Sequence, residues 1–163
     1  MGKNTKSLSP NELHQKIEGL KSLMIIERGS LQVFAGKADE IGEIISEIGR
    51  QRERTFRAAG EGTGKEIDID RYDKYYLNLF VYDKENKCLV GGYRIGQGKE
   101  IYEKYGARGF YIRSLFKIKK PFKLILSQCL ELGRSYVVPE YQKTPLPLFI
   151  LWQGLLKIIQ NQE

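Results

Sequence analysis

A chain of 163 residues, 41% hydrophobic and 29% charged, has the composition of one soluble globular domain, and its content of Ile, Leu, Tyr and Phe excludes wholesale disorder. Its longest apolar stretch, Pro145 to Leu156, is interrupted by Gln153 and falls short of the ~20 residues a spanning helix needs, and the charged start Met1 to Ser7 lacks the apolar core of a signal peptide. The net charge of +7 lies wholly in the second half, with 13 basic and 13 acidic residues through Val81 but 14 and 7 from Tyr82 onward, which points to an anionic partner: nucleic acid, a membrane surface or an acidic protein.

Residues 1–8 read as a loose tail. Ser9-Pro10-Asn11-Glu12 is a helix start, with Ser9 as N-cap, Pro10 at the first helical position and Glu12 completing a capping box. That helix is expected to end near Leu23, giving a leading segment over 1–22 and a domain over 23–163. Leu23 to Ile26 reads as a strand, and Arg28-Gly29-Ser30 as a turn into a second strand from Leu31 to Phe34. One helix is predicted from about Ala38 to Ala58, because Ile41, Ile44, Ile45, Ile48 and Phe56 share a stripe. A glycine-rich segment, Gly60 to Lys65, precedes an acidic one, Asp68 to Asp73. Strands from Tyr75 to Tyr82 and Cys88 to Ile95 flank a hairpin turn. Gly96 to Gly109 reads as loop with a little helix. Phe110, Tyr111, Ile112 and Leu115 favour strand, and Phe122 to Ser127 a short helix. Cys129 to Val138 reads as a buried strand, and Leu146 to Ile159 as a helix apolar nearly all round, expected to be covered. Strands and helices in one domain give α/β or α+β.

Several chemistries are excluded by residue type. A P-loop needs glycine at 59 and Ser or Thr at 66, where the chain has Ala59 and Glu66, so Gly60 to Lys65 reads as a flexible loop over a site. His14 is the only histidine and is expected to face solvent, which removes a His-based triad. Cys88 and Cys129 offer neither a disulfide framework nor zinc-ligand spacing, so a reducing cytoplasm is expected and both read as inert thiols. What remains is charge: Asp68, Asp70 and Asp73, then Arg94, then Glu131 and Arg134. Positions 131 and 134 point to opposite faces of a strand unless a bulge intervenes, and Gly133 is a natural place for one. Charges within strands are costly unless paired, so these groups are expected to meet.

Arg54-Thr55-Phe56, the Asp68/Asp70/Asp73 group, Gly91-Gly92-Tyr93-Arg94 and Glu131-Leu132-Gly133-Arg134-Ser135 together resemble the signature of GNAT-type N-acyltransferases. The subgroup is that of ornithine lipid and glycine lipid synthases, often labelled hemolysins and related to acyl-homoserine lactone synthases. The stretch Gly60 to Asp68 most resembles the glycine lipid branch. The resemblance runs from about Leu23 onward. It implies a GNAT-like α/β fold, with a mixed central sheet flanked by helices and two strands splayed to admit a pantetheine arm. It implies transfer of a fatty acyl group from acyl carrier protein, or from acyl-CoA, to the amine of a small amino acid, glycine or ornithine, in aminolipid synthesis. No bound cofactor or metal is implied.

By the same resemblance Glu131 is the base, with Arg134 and Arg94 beside it. Asp68, Asp70, Asp73, Arg54 and Phe56 serve the substrate. Tyr136, Val137 and Val138 offer backbone N–H groups to an oxyanion, and Lys143 and Thr144 meet the phosphate of the donor. Residues 143–147 lack the glycine pattern of acetyl-CoA loops, which argues against tight pyrophosphate binding and is compatible with a carrier's single phosphate. Lys117, Lys119, Lys120 and Lys123 are the expected docking run for an acidic carrier protein, with a solvated loop or a strip on anionic lipid as the alternatives. No nucleic-acid motif is present, so nucleic acid is not an expected partner. The family fold continues past the last helix, so the resemblance covers its N-terminal portion. The chain reads as a piece of a longer protein, a truncated product, or half of an arrangement that a partner chain or oligomer completes. The rival class is a non-catalytic basic module that binds an anionic membrane or nucleic acid.

Overall fold

The computed structural model describes residues 6–161; Met1–Thr5 of the expected tail lie outside the described residues. Helix α1, Pro10–Glu18, opens on the expected capping box: the Glu12 N–H donates to Ser9 Oγ at 3.3 Å and the Ser9 N–H to Glu12 Oε2 at 2.7 Å. Leu13 and Ile17, four residues apart on one side of α1, are its buried residues. Strand β1, Met24–Arg28, turns through Gly29 (φ 61°) into β2, Leu31–Gly36. The predicted single helix over 38–58 is two, α2 over Ala38–Ile41 and α3 over Ile44–Ala58. Gly42 breaks them by taking φ 55°, a left-handed conformation that glycine adopts without a Cβ clash.

Strands β3, Leu77–Asp83, and β4, Cys88–Gln97, form the expected hairpin. Helix α4, Gly98–Tyr105, follows, and then come α5, Ile112–Leu115, and α6, Lys120–Leu126. Strand β5, Leu130–Val137, and helix α7, Leu146–Gln160, end the described chain. The sheet runs β1-β2-β3-β4-β5, with every neighbouring pair antiparallel. The α/β expectation therefore holds with helices on both faces. Among the described residues, however, the sheet is antiparallel and not mixed, because each strand pairs with its sequence neighbour and needs no crossover.

The two faces bury different cores. Phe34, Phe80, Tyr82 and Tyr136 pack against Ile17 of α1 and Ile44 and Ile48 of α3. On the other face Val33, Leu79, Val81 and Val90 pack against Ile150, Leu151 and Leu155 of α7. Gly154 lets α7 come close, since a Cβ there would stand 3.0 Å from Val33 and from Leu79. Helix α7 is covered on that side only; Leu148, Phe149, Trp152 and Leu156 are about half exposed. Among the described residues no helix is long and apolar enough to cross a membrane.

Three more expectations change. Among the described residues β5 is one of the two edge strands, paired with β4 alone, and is therefore half-buried where a buried strand was expected. Residues 112–115 form a helical turn where side-chain type favoured strand; Glu131 accepts the N–H groups of Tyr111 at 3.0 Å and Ile112 at 2.6 Å, and this tertiary contact overrides local preference. His14 does not simply face solvent, since its Nδ1 lies 2.9 Å from the Tyr82 hydroxyl in a half-buried setting.

Candidate active site

The site is assembled from α3, the loop after it, β4 and β5. On α3, Arg52 lies four residues after Ile48 and is 1% exposed. Its guanidinium donates to Asp73 Oδ1 at 2.7 Å and to Asn78 Oδ1 at 2.8 Å. The Asp68 N–H bonds the Gly49 carbonyl at 3.1 Å, which seats the acidic loop against α3. A Cβ at Gly49 would meet Ile67 Cγ2 at 2.5 Å, so this seating needs a glycine. The loop then locks itself, since Asp70 accepts from the Tyr72 N–H at 2.8 Å and Asp73 Oδ2 from the Asp70 N–H at 2.9 Å.

Arg94 arrives from β4, also 1% exposed, and donates to Asp70 Oδ1 at 2.7 Å and Asp73 Oδ2 at 3.0 Å. Its guanidinium carbon lies 5.3–5.7 Å from the ring centres of Tyr72, Tyr76 and Tyr111, within cation–π range. Arg134 closes the chain of charges, with Nε 2.9 Å from Asp68 Oδ2 and a terminal nitrogen 3.7 Å from Asp70 Oδ2. The predicted meeting of the Asp group with both arginines is observed.

The bulge that this meeting requires is present. Gly92 faces Tyr136 and Arg94 faces Gly133, so one residue of β4 spans two of β5, Arg134 and Ser135. Arg134 itself takes φ 50°, and the slip returns it to the face shared by Glu131. Glu131 accepts from the Tyr76 hydroxyl as well as from the N–H groups of Tyr111 and Ile112. Three of its roughly four lone-pair sites are thus taken, and one is left for a ligand proton. Burial, followed by the contact with Glu131, pushes the Tyr76 phenol far above its ordinary pKa, so it stays a donor.

Burial would push the Asp70 carboxyl up, but the hydrogen bond and charge of Arg94, the Tyr72 N–H and the charge of Arg134 hold it below the usual aspartate value. Arg134 is driven down by burial yet held above its ordinary pKa chiefly by Asp68. The network is dry at Arg52, Asp73 and Arg94 and reaches water at Arg134 and Asp70, whose side chains are 23% and 28% exposed.

Two candidates stand elsewhere. Arg54 pairs with Glu140 on the surface at 2.7 and 2.8 Å, and Phe56 packs into the core under α3, so neither joins the charged cluster. The buried arginine of α3 is Arg52, two residues earlier. Its signal was a cation on the apolar stripe, four residues from both Ile48 and Phe56. Tyr76, Tyr111 and Asn78 also join the site, and no residue pattern announced them. The glycine-rich loop is clamped, where a flexible one was expected. Glu53 accepts from Thr63 Oγ1 at 2.6 Å, the Thr63 N–H at 2.9 Å and the Gly64 N–H at 3.1 Å, and also from Arg57. These bonds, that of the Thr63 hydroxyl first, hold Glu53 at a pKa of about 2.

The expected oxyanion donors reduce to one. The Val138 N–H is spent on the Val90 carbonyl at 2.9 Å, and strand alternation turns that of Tyr136 toward β4 as well, leaving the Val137 N–H on the open edge. Just beyond, exposed Lys143 and Thr144 line an open groove of 370 Å³ with Gln142, Pro145 and Leu148. At the other end of β5, a 620 Å³ cavity is lined by Cys129, Leu130 and Leu132 with Leu155 and Ile159 of α7. Cys88 and Cys129 are half-buried and burial pushes both thiols up, which keeps them protonated. Lys117, Lys119 and Lys123 are exposed on the segment before β5; the Lys120 side chain lies outside the described residues. Among the described residues no group of His, Cys, Asp or Glu is placed to hold a metal ion.

Residues 51–153 match the family model described as an acetyltransferase (GNAT) domain. The chain is 34% identical over 159 residues to the glycine N(alpha)-acyltransferase of Phocaeicola vulgatus, covering 91% of this chain and 49% of that protein. It is likewise 34% identical over 161 residues to that of Bacteroides thetaiotaomicron, covering 92% and 48%. The L-ornithine N(alpha)-acyltransferase of Brucella abortus is 35% identical over 96 residues, 53% of this chain and 32% of that protein. The chain thus spans about half the length of the first two relatives. No solved structure gives a significant match. The antiparallel sheet with helices on both faces, the bulged edge strand and the match over residues 51–153 agree: the chain belongs to the GNAT acetyltransferase-domain family.

Proposed function

We propose that this chain serves N-acyl transfer from an acyl thioester to the α-amine of a small amino acid, glycine ahead of ornithine, yielding an aminolipid or its precursor. One observation carries the reading: a buried ionic network reaches water only at a carboxylate, Asp70, and a guanidinium, Arg134, on the face shared by Glu131. An amino acid presents the complementary pair. Its carboxylate suits Arg134 and its ammonium suits Asp70. The names of the relatives support glycine as the first acceptor to test.

In the chemistry, the ammonium first loses a proton to the free lone-pair site of Glu131, directly or through water. The amine lone pair then attacks the thioester carbonyl, forming the C–N bond and placing charge on the carbonyl oxygen. The Val137 N–H on the open edge of β5 is the backbone donor available to that oxyanion. Collapse breaks the C–S bond, the nitrogen sheds its second proton, and the departing thiolate takes up that proton directly or through water. This leaves an amide, a free thiol and the proton held by Glu131 to pass to solvent. The donor would lie along β5, its phosphate near Lys143 and Thr144 and its acyl chain in the cavity beside Leu130 and Leu132. Acyl carrier protein or acyl-CoA is the donor this arrangement suits.

The test is formation of N-acylglycine from glycine and an acyl thioester. Glu131→Gln, which keeps the size of the side chain, is expected to lower turnover ~10²-fold or more. Unchanged turnover with that variant would remove Glu131 from the base role, and transfer to ornithine in preference to glycine would reverse the acceptor assignment.

A further inference from the structure

Between Glu103 and Glu131 the sequence contains seven Lys and Arg and no acidic residue. Residues 112–126 in this stretch also carry, among the described residues, a group of exposed large apolar side chains separate from those of α7. Leu115 is 60% exposed, Phe116 62%, Phe122 41%, Leu124 66% and Ile125 52%. The segment is not loose. Ile112, Ile118 and Leu126 pack into the cluster around Tyr76 and Phe110, and Glu131 holds the N–H groups of Tyr111 and Ile112. Three inward apolar residues thus fix the orientation in which five others face out. Among the described residues Arg113, Lys117, Lys119 and Lys123 have no carboxylate within ion-pair distance.

We propose that residues 112–126 are a membrane-resting surface that inserts Phe116, Leu124 and their apolar neighbours into the interface of an anionic bilayer, with the flanking lysines on the headgroups. An acidic protein would satisfy the cations and leave five large apolar side chains in water. A bilayer interface accepts both, since anionic headgroups lie directly above the acyl boundary. The short length of α5 and α6 suits this, because interfacial binding needs apolar area and charge and no spanning length. The surface is also coupled to the candidate site, as the α5 turn is capped by Glu131. Under the acyl-transfer reading an amphiphilic product would form next to the phase into which it partitions. The membrane surface itself stands on exposure and charge and does not depend on that reading.

Sedimentation of the full chain with sucrose-loaded vesicles tests it, using phosphatidylcholine alone and an equal mixture with phosphatidylglycerol. The chain is expected to partition onto the mixed vesicles at low salt, and to release as salt rises. Phe116→Ser with Leu124→Ser should lower the partition coefficient about tenfold or more. Lys117→Glu with Lys119→Glu should lower it by a similar factor at low salt only. All four side chains face water, so both variants should keep the parent's far-UV spectrum and melting temperature. No partition of the parent at low salt overturns the proposal, and so does partition indifferent to the apolar pair. If vesicles are ignored while the lysine reversal slows association with an acidic carrier protein, the segment is a carrier dock and the membrane proposal is wrong. Loss of acyl transfer with vesicle binding retained would count against the activity alone.

Discussion

The two faces of the sheet solve the same problem with different chemistry. Under α3, the sheet buries Phe34, Phe80 and Tyr136 beside a chain of ions in which Arg52 and Arg94 are each 1% exposed. Under α7 it buries aliphatic side chains, and the charged group of that helix, Lys157, reaches the Ile25 carbonyl at the rim. The ionic face gains less net stability per buried group, because removing ions from water costs nearly what their attraction returns. What it gains is position, since Arg52 is fixed between Asp73 and Asn78 and Arg94 between Asp70 and Asp73, even though their Nε atoms find no hydrogen-bond partner among the described residues. The face that positions charge is also the face that carries the candidate chemistry. The candidate chemistry thus lies where the packing is most specific, not where it is most stabilising.

Breaking the ionic face should have the largest effect. Arg94→Met removes the donor that Asp70 and Asp73 share and leaves two carboxylates short of a partner. The expected loss is ~3–5 kcal/mol, read as a melting temperature roughly 6–20 °C below the parent. A melting temperature equal to the parent's would mean that water replaces the guanidinium, and the contrast between the faces would collapse.

The aliphatic face should respond by cavity formation alone. Leu151 is 1% exposed on the sheet side of α7. Leu151→Ala is expected to cost ~2–3 kcal/mol, the low end for a buried leucine, because α7 is free on its outer side and can settle toward the sheet. Thermal melting checks this. A loss larger than that of Arg94→Met would reverse the ranking.

Much of this layout was legible in the chain, and the failures share one cause. The capping box of α1, the hairpins and the meeting of Asp70 and Asp73 with Arg94 follow from local pattern or from the rule that strand charges pair. A bulge follows from needing residues 131 and 134 on one face, but it falls at Arg134 and Ser135 and not at the expected Gly133, which pairs regularly with Arg94. The misses depend on distant partners. Residues 112–115 look like strand until Glu131, nineteen residues from Ile112, supplies the cap. Arg54 belongs to a triplet that carries the family resemblance, yet Arg52 makes the buried contacts, and its clue lies in helical spacing. The exposure of β5 and of the outer side of α7 depends on what is packed beside them, which no local pattern encodes.

The smallest effect sharpens the contrast most, because, of the two buried clusters compared, only the ionic one contains carboxylates that acid can protonate. Arg94, the Tyr72 N–H and Arg134 hold the folded Asp70 carboxyl below the ordinary aspartate pKa of about 3.9, against the upward push of burial. The folded state therefore binds that proton less readily than the unfolded chain. Asp70 contributes stability that is complete above the unfolded value and is lost as pH falls through the folded one. Asp70→Asn should consequently be less stable than the parent at pH 7, with the two melting curves converging as pH falls below about 4. Other depressed carboxyls, Glu53 and Asp83 among them, give both proteins the same background slope, so the difference between the curves isolates Asp70. Leu151→Ala, with no carboxylate in its cluster, should stay a constant interval below the parent across the same range. Parallel curves for Asp70→Asn would place its charge in water, and would leave the two faces alike in their response to acid.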